Sequence, residues 1–565
     1  MAIQNSNRTT WDISLHVVRT IALWTLRDSR SQTVLAVGIF LFSVLLTFGG
    51  PEVGANEGVY LVKSRQLVDS NFLAADWTFE RETSSPHGLL FSALIAPFWK
   101  TELTPIQVIF ILRAILWAAF AAATIAFLRS QDLPVLPAFV GMSIWVLEGQ
   151  FLLAGEWLVG GAEQKTLAYI ALLMALANAM KSRWISMSLW LSVSIWFHIL
   201  VGGWAAVATF MTLLARPAII SRLQWLKSAA ITGILTSPAI VLAASAILRD
   251  RVPAEISTIP IPFESAAQMM VQFRAAHHLD PSYFVSASGF SALLMFIAGV
   301  TASFLVLPIA GNRKQLLAGF LIVAGMIAAA GLLAHATAQY WFLHLYPFRL
   351  ADGMLPFFSC LLLPIALLTS LFGVSNVSKS KVWILGIVAA ALSLWAAPRI
   401  YYNSISAAKA WGLAAKQATD GSRSELYDWI RTDTRSDAVF LAPPWWGDFL
   451  LSAERSMLVS IRAAPQNAKA REWYQRLEIA NNFKPLERNI YQAIPALRTN
   501  YHQISMDHLA CIVSTFGTDY YIAESKREDL NDLVVFNVGT NYAYDIASIP
   551  LNSVSCQLVR LQNNN

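Results

Sequence analysis

Long apolar segments separated by polar connections fill the first 400 residues of this 565-residue chain, and they constrain its fold more than any other feature. Only 13% of the residues are charged, whereas soluble domains carry about 25% charged residues. We therefore predict a mainly α, polytopic membrane protein with about 11 transmembrane helices and a C-terminal soluble α/β domain. The predicted spans are 33–48, 105–128, 134–147, 166–180, 185–200, 201–214, 228–248, 289–309, 316–335, 353–372 and 382–397.

Charged residues between the spans predict the orientation of the helices, because cytoplasmic loops collect Lys and Arg. With a cytoplasmic N-terminus, every inner loop is basic and, apart from Asp132, free of acids, whereas the outer segments carry the acids. Segment 88–99 is too short for a span, which needs about 20 residues, and is predicted to be an interfacial helix on the outer side. If it crossed the membrane, Lys181 and Arg183 would lie outside. The inner loops contain Arg129, Lys181, Arg183, Arg216, Arg222, Lys227, Arg313, Lys314, Lys379 and Lys381.

This topology divides the chain into three parts. We predict a cytoplasmic N-terminal segment at 1–32, a transmembrane domain at 33–398 and an extracytoplasmic α/β domain at 399–565. The outer loops of the transmembrane domain are 49–104, 148–165, 249–288 and 336–352. In the C-terminal domain, strands are predicted at 438–442, 457–461, 519–523, 533–537 and 557–561, and helices at 424–431, 468–481 and 505–514.

Cysteine usage leaves the redox state of the C-terminal domain open. Cys360 lies in an apolar run and is predicted to be a buried thiol. Cys511 and Cys556 could pair in an oxidising compartment, which would clamp the last predicted strand. Two free buried thiols are an equal alternative, because the sequence gives no distance between them.

Several function classes lack their sequence signals. The net charge of +6 is explained by the basic inner loops, and no basic run with interleaved aromatic residues indicates a nucleic-acid surface. The chain contains no G-x-x-x-x-G-K-[ST], G-x-G-x-x-G, H-E-x-x-H or C-x-x-C pattern, so nucleotide binding at a standard loop and a structural zinc site are unsupported. No metal ligand is assigned.

The acidic first outer loop is the first candidate for chemistry. Glu57 lies a few residues beyond the first span, at the membrane boundary. Partial desolvation there can raise the pKa of a carboxyl group and make it a better general base. The alternative is an ordinary solvated loop acid, which describes most acids in most loops.

Two further outer positions carry charge close to the membrane. Glu163 and Lys165 lie in EGQFLLAGEWLVGGAEQK, where Glu163 could simply stabilise the start of the next helix. Arg113 lies about two turns inside its span and either extends outward to water or pairs with an outer-loop carboxylate or a lipid phosphate.

Basic side chains in the later outer loops could contact phosphate. Arg274, His277 and His278 lie together in FRAAHHLDPSYF, and His344 and Arg349 flank a helix boundary in YWFLHLYPFRLADG. The planar guanidinium of arginine suits phosphate recognition. Surface histidines without a ligand are the alternative.

These features together resemble the GT-C superfamily of membrane glycosyltransferases, which includes protein O-mannosyltransferases and aminoarabinose transferases. The resemblance rests on Asn56-Glu57 with Tyr60, on HGLLFSALIAPFWK, on Arg113 in ILRAIL and on GGAEQKTLAY. It implies a sugar donor carried on polyprenyl phosphate and action on the outer membrane face. By resemblance, Glu57 falls where the family places its catalytic acid, usually an aspartate, and Glu163 falls where some members have a second acid. The chain has no Asp-x-Asp pair in either loop, which leaves a divalent metal an open question.

The resemblance and the residues predict an integral-membrane, inverting glycosyltransferase in a bacterial inner membrane. Glu57 would take the proton of an acceptor hydroxyl on a glycan, lipid or protein, and Arg349, helped by Arg274, His277 or His278, would stabilise the departing polyprenyl phosphate. Glu163 and Lys165 would orient the acceptor or the sugar. The alternatives are a transporter or lipid flippase, and a non-catalytic scaffold in envelope polysaccharide assembly.

Overall fold

The fold is described from a computed structural model of the chain. It describes residues 20, 23–26, 29–50, 52–54, 56–79, 88–249, 262–372, 378–465, 469–487 and 489–550. Most of the predicted N-terminal segment 1–32, the predicted strand 557–561 and Cys556 therefore lie outside the described residues.

Helices occupy all eleven predicted spans, so the predicted fold class is confirmed. Within the described residues, seven are long and apolar enough to cross a membrane. They are α1 (Arg30–Phe48), α4 (Pro105–Ser130), α9 (Arg222–Arg249), α13 (Ala287–Val306), α14 (Gly311–Ala336), α16 (Arg349–Leu371) and α17 (Lys379–Asp420). Four shorter helices fill the remaining spans: α5 (Val135–Glu148), α6 (Gln164–Met180), α7 (Trp184–Phe197) and α8 (Ile199–Leu214).

Aromatic side chains form the centre of the helix bundle. The ring of Phe120 on α4 stacks near Phe40 of α1 and Trp145 of α5, and its edge meets Phe357 of α16. All four side chains are buried. Helices α5 and α16 approach closely because Gly141 has no side chain, since a Cβ there would lie 1.9 Å from the carbonyl oxygen of Cys360. These contacts hold α1, α4, α5 and α16 together.

Ion pairs join loops that the charge pattern places on the same side. Arg313, before α14, lies 2.6 Å from Asp132, in the loop between α4 and α5. Arg129 donates a hydrogen bond to Thr33 at the start of α1. At the other end, the Arg399 and Glu148 side chains approach to 3.3 Å.

The outer segments contain short helices rather than extra spans. Segment 88–99 forms α3 (Leu89–Ile95) followed by the 3₁₀ turn Ala96–Lys100. The other short helices are α2 (Glu57–Gln66), α10 (Ala266–Met269) with the π turn Met270–Arg274, α11 (Ala276–Leu279), α12 (Pro281–Phe284) and α15 (Tyr340–Leu343).

The last membrane helix is longer than predicted. Helix α17 has 42 residues, about 63 Å at 1.5 Å per residue, whereas the hydrocarbon core is about 30 Å thick. The predicted domain boundary at residue 399 therefore falls inside it. Tyr401 and Tyr402 are exposed just beyond this point, as expected for aromatic residues at a membrane interface. Trp411, further along, donates to the carbonyl oxygen of Leu46 at the outer end of α1.

A five-stranded sheet forms the core of the C-terminal domain. Its order is β2-β1-β3-β5-β4, with β1, β2 and β3 parallel and β4 and β5 antiparallel to their neighbours. The elements are α18 (Ser422–Asp433), β1 (Val439–Leu441), α19 (Phe449–Ser452), β2 (Ser456–Met457), α20 (Ala470–Ala480), α21 (Ile490–Tyr501), α22 (Met506–Phe516), β3 (Tyr520–Ala523), β4 (Val534–Val538) and β5 (Asn541–Asp545). The sequence predictions missed α19, α21 and β5.

This domain packs directly on the outer segments of the transmembrane domain. Trp77 donates to the carbonyl oxygen of Leu458 at 2.9 Å, and its own carbonyl oxygen accepts from Lys469. The ring of Phe273 lies 4.9 Å from that of Tyr474. The contact buries parts of the first and third outer loops beneath the domain.

Candidate functional site

Glu57 and Arg113 form a closed, buried ion pair. Arg113 Nε and Nη2 donate to the two carboxylate oxygens of Glu57 at 2.8 and 2.5 Å. The same oxygens accept from the backbone N–H groups of Gly54 and Ala162 at 2.7 and 2.6 Å. Arg113 Nη1 and Nη2 also donate to the carbonyl oxygens of Gly50 and Glu52. The pair thus fastens α2 and the second outer loop to α4, and each Glu57 oxygen already accepts two hydrogen bonds.

Glu163, in contrast, keeps one oxygen open. Its Oε1 accepts from the side-chain amide of Asn56 at 3.1 Å. Its Oε2 is buried without a hydrogen bond and lies 3.4 Å from Lys165 Nζ. Glu163 stands just before α6 but makes no side-chain cap there. Its carboxylate still lies at the positive end of the α6 dipole, so stabilisation of the helix start stays an alternative for Glu163.

Lys165 and Arg349 each lie between a carboxylate and an aromatic ring. Lys165 Nζ sits 4.2 Å from the centre of the Trp157 ring. Arg349, at the start of α16, lies 4.1 Å from the centre of the Tyr346 ring, and its Nε is 2.9 Å from Glu156 Oε2. Neither Arg349 Nε nor Glu156 Oε2 has a hydrogen bond of good geometry. Arg349 also contacts His198 at 3.2 Å.

Asp352 shapes the second outer loop around these cations. Its carboxylate, one turn into α16, accepts from the backbone N–H groups of Leu153, Ala154 and Glu156 at 2.5–2.9 Å. Tyr346, with a positive φ of 56°, places its ring under Arg349. Non-glycine residues with such dihedrals are concentrated at functional sites.

The third outer loop contributes Arg274, His277 and His278. Arg274 lies on the π turn, a rare geometry that often occurs at functional sites. The centres of the two imidazole rings lie 3.8 Å apart with their planes tilted by 38°, and His278 hydrogen-bonds the carbonyl oxygen of Ala154. Burial, followed by the charge of Arg274, lowers the pKa of His277 to about 3, and burial also lowers the pKa of His278. Both imidazoles are therefore neutral at pH 7 in the ligand-free protein.

Tyr60 connects the first outer loop to this cluster. Burial and then the nearby charge of Glu163 raise its pKa well above the ordinary value, while the cations Arg349 and Arg274 oppose the effect. The hydroxyl group therefore stays protonated and can donate a hydrogen bond.

The structure brings together most of the predicted site residues, in two groups. Glu57 and Arg113 form the closed pair. We call the second group the cation cluster: the cations Lys165, Arg274 and Arg349, the neutral imidazoles of His277 and His278 beside them and, from the C-terminal domain, Arg462, whose charge lowers the pKa of Arg274 and of His277. Glu163 and Glu156 adjoin this cluster. His344 follows α15, and none of its contacts among the described residues joins it to the cluster.

Sequence reasoning missed several members of the site. The sequence assigns no role to Glu156, because nothing in its own loop reveals Arg349 as its partner. Asp352 carries a usable signal, since it is an acid in the first turn of the helix that begins at Arg349. Arg462 carries no local signal, because only the docking of the domain brings it to the membrane.

The described residues contain no group of three or more His, Cys, Asp and Glu side chains placed to hold a metal ion. Glu156 and Glu163 each face a cation instead. The carboxylates in the described part of the chain therefore do not form a ligand set for a metal ion.

Comparison with known proteins gives one sequence family and several solved structures. A family described as a domain of unknown function, DUF6798, matches residues 422–480. No curated protein sequence matches the chain. The archaeal oligosaccharyltransferase AglB from Archaeoglobus fulgidus, in complex with an inhibitory peptide and a dolichol-phosphate, is similar at 12% identity and a TM-score of 0.39, over 87% of this chain and 69% of AglB.

ArnT from Cupriavidus metallidurans is similar in two states. Its apo structure has 11% identity and a TM-score of 0.43, over 91% of this chain and 98% of ArnT. Its undecaprenyl phosphate-bound structure has 12% identity and a TM-score of 0.44, over 92% and 97%. AglB and ArnT are both GT-C membrane glycosyltransferases, the superfamily that the sequence motifs resemble.

Proposed function

We propose that this protein is a membrane glycosyltransferase that transfers a sugar from a polyprenyl-phosphate donor to an acceptor hydroxyl group. The observation that carries the proposal is the cation cluster beside the buried carboxylate of Glu163, whose Oε2 accepts no hydrogen bond. Glu163 Oε2 lies in an ion pair with Lys165 but accepts no hydrogen bond, and buried polar atoms without a hydrogen bond are uncommon in structural cores. A phosphate and a hydroxyl group are ligands that would satisfy them.

The phosphate of the donor fits the cationic side of the site. Arg349 and Lys165 lie where three outer segments meet, close to the outer ends of α6 and α16. Preorganised cations stabilise the negative charge that develops on a departing phosphate, and they act most strongly where water is excluded. Tyr60 would add a neutral hydrogen-bond donor.

Two carboxylates, those of Glu57 and Glu163, are candidates for the general base. Glu57 is the residue predicted from the family resemblance, but each of its oxygens accepts two hydrogen bonds. Glu163 has the open oxygen Oε2 and is oriented by Asn56. A general base must be within hydrogen-bond reach of the proton that it removes. We therefore favour Glu163 as the base and propose that Glu57 positions the loop that carries it.

The proposed step is an inverting displacement at the anomeric carbon. Glu163 takes the proton of the acceptor hydroxyl group while the hydroxyl oxygen forms a bond to the anomeric carbon. The bond between the anomeric carbon and the phosphate oxygen breaks, and its electron pair leaves with the polyprenyl phosphate. The cation cluster holds that phosphate as its charge rises.

The proposed face of action is extracytoplasmic, in a bacterial inner membrane. Two features support this orientation. The basic loops gather at one end of the bundle, where Arg313 meets Asp132, and cytoplasmic loops are typically basic. The site and the C-terminal domain lie at the other end.

A transfer assay with purified protein tests the proposal. The protein is incubated with labelled polyprenyl-phosphate sugars and candidate acceptors, with and without EDTA to measure any metal requirement. We expect transfer from at least one donor, and we expect Glu163→Gln to reduce the rate at least 100-fold, because general-base catalysis contributes about 10²–10⁴-fold.

Glu102→Gln is the matched control, since Glu102 is an exposed acid of the first outer loop. It should transfer at the wild-type rate. Full activity in Glu163→Gln would overturn the assignment of the base. Lipid movement without transfer would favour the flippase, and neither activity would favour the scaffold.

A further inference from the structure

A cavity lies between the second outer loop, the start of α13 and the middle of α17. It has a volume of about 120 Å³, whereas about 10–15 Å³ is enough for one water molecule. Leu152 and Leu153 line it from the loop, and Arg399 lines it from α17. None of the described residues that line it belongs to the closed pair or to the cation cluster. The cavity is therefore a separate feature of the outer membrane face.

The guanidinium group of Arg399 brings hydrogen-bond donors to this cavity. Its Nε lies 3.3 Å from the carbonyl oxygen of Glu148 and 3.3 Å from Glu148 Oε2. The rings of Trp395 and Phe151 lie beside it, with centres 4.5 and 5.7 Å from the guanidinium carbon. Within the described part of the chain, neither Nη group makes a hydrogen bond. Since a guanidinium group has five N–H donors, its Nη groups can bind a phosphate while Nε keeps Glu148.

The first turn of α13 forms another wall of the cavity, through Ser286 and Gly289. The Ser286 side chain accepts from the Gly289 N–H group and caps this helix, which has 20 residues. The start of a helix carries a partial positive charge and favours anions. The helix start and the guanidinium group of Arg399 therefore favour the same kind of ligand.

The cavity lies at the level of the membrane interface. Arg399 directly follows the last predicted span, and Tyr401 and Tyr402 are exposed just beyond it, as is typical of the headgroup region. Next to the lining residues, Phe290 of α13 and Leu394 of α17 are 55% and 77% exposed. Exposed apolar surface of this kind marks contact with lipid in a membrane protein. A ligand with a charged group at Arg399 and an apolar part along α13 and α17 is a phospholipid.

We propose that this cavity binds the phosphate of a membrane phospholipid through the Nη groups of Arg399. The lipid comes from the leaflet on the side of the C-terminal domain, and the inference does not depend on the proposed glycosyltransferase function. A phospholipid bound here also contacts the second outer loop, because Leu152 and Leu153 line the cavity. Leu153 N–H donates to Asp352, the residue that shapes this loop. The lipid therefore supports the loop from the side away from the cation cluster.

Lipid binding by the full-length protein in detergent tests the inference. Native mass spectrometry measures the Kd of the first bound phosphatidylglycerol and of diacylglycerol with the same acyl chains, which lacks the phosphate. We expect the wild-type protein to bind phosphatidylglycerol about tenfold more tightly or better, since a charge-assisted hydrogen bond is worth about that factor. Arg399→Gln should weaken phosphatidylglycerol binding about tenfold and diacylglycerol binding less than about twofold.

Arg222→Gln is the matched control, because Arg222 is an exposed arginine at the start of α9, near the other membrane face. It should bind both lipids as the wild type does. Arg399→Gln leaves the buried carboxylate of Glu148 without its cation and could fail to fold for that reason. The double variant Glu148→Gln with Arg399→Gln removes both charges and should show the same tenfold loss, so it decides if the single variant is unstable.

Inorganic phosphate distinguishes a lipid site from a site for a free anion. At millimolar concentration it should leave the unfolding temperature of the wild-type protein unchanged, because it lacks the apolar part that α13 and α17 contact. A rise that Arg399→Gln abolishes would identify a free-anion site and overturn the lipid assignment. Equal binding of the two lipids by the wild-type protein, or unchanged phosphatidylglycerol binding by the double variant, would overturn the proposal as a whole.

Discussion

At the scale of single residues, Glu57 shows how hydrogen bonds distinguish a carboxylate that holds a loop in place from one that can act as a general base. Its carboxylate accepts from Arg113 twice and from two backbone N–H groups. A loss of activity in Glu57→Gln would therefore not identify a base. Removing one partner of a buried ion pair typically costs about 3–5 kcal/mol, because the other charge is left uncompensated.

The double variant Glu57→Gln with Arg113→Gln separates the two roles. It leaves no buried charge, and the two amides can still hydrogen-bond, so we expect it to be more stable than either single variant. If Glu57 only positions the loop, the double variant transfers sugar measurably. A folded double variant without any transfer would instead favour Glu57 as the base. Thermal unfolding and the transfer assay measure both properties.

The partly exposed pair of Arg65 and Glu454 provides the control. Its atoms lie 2.8 Å apart, but both side chains reach water. Exposed pairs contribute about 0–1 kcal/mol, so Glu454→Gln should change the unfolding temperature little. A large effect there would mean that the protein is sensitive to charge removal in general.

At the scale of elements, hydropathy and charge placement predicted the membrane helices well. These signals depend on each segment's own residues, so helices as short as α5 and α7 were recognisable. The end of α17 was not recognisable in this way. The polar segment after Arg399 consists of ordinary helix-forming residues, which a hydropathy criterion does not detect. Strand β4 was predicted, but its hairpin partner β5 was missed although Gly539, with a φ of 58°, marks the turn between them.

The first outer loop contains an element whose stability should depend on pH. Asp76 is buried against β2, where its carboxylate accepts from Met457, Thr78 and Phe79 N–H groups. Burial raises its pKa from 3.8 to about 6, against those hydrogen bonds. The native state then binds more protons than the unfolded state between these two pH values, so stability falls as pH rises from about 4 to about 6.

Asp76→Asn should remove this part of the pH dependence, because asparagine does not titrate. The shift corresponds to at most about 3 kcal/mol. Thermal unfolding between pH 4 and 7 measures the slope, with Asp69→Asn, an exposed acid of the same loop, as the control. An identical slope in Asp76→Asn and the wild type would show that this carboxyl group does not couple the loop to pH.

At the scale of the whole molecule, the candidate site exists only because distant segments meet. The motifs of the first two outer loops predicted Glu163 and Lys165 from local sequence. Their relation to Arg349 and Arg462 depends on helix packing and on the docked C-terminal domain, and neither is encoded within a short window. The distribution of charged residues between the spans predicts that these residues share one face of the membrane, but it does not show which of them form pairs.

The backbone of the C-terminal domain approaches α2 closely at Gly58, the second residue of that helix. A Cβ at this position would lie 2.1 Å from the carbonyl oxygen of Gly447 in the C-terminal domain. Since both atoms belong to the backbone or are fixed to it, Gly58→Ala should push the domain away from α2. We expect faster limited proteolysis near the end of α17, weaker transfer and a loss of about 1–3 kcal/mol in stability.

Gly38→Ala is the matched control for this prediction. Gly38 lies within α1, and a Cβ there would meet nothing within 4 Å. Alanine in a helix interior is more favourable than glycine by about 0.5–1 kcal/mol, so this variant should keep its activity and resist proteolysis at least as well as the wild type. Unchanged proteolysis and transfer in Gly58→Ala would show that the close approach of α2 and Gly447 does not hold the domain on the site. Loss of transfer with unchanged proteolysis would place the effect at the neighbouring Glu57 instead.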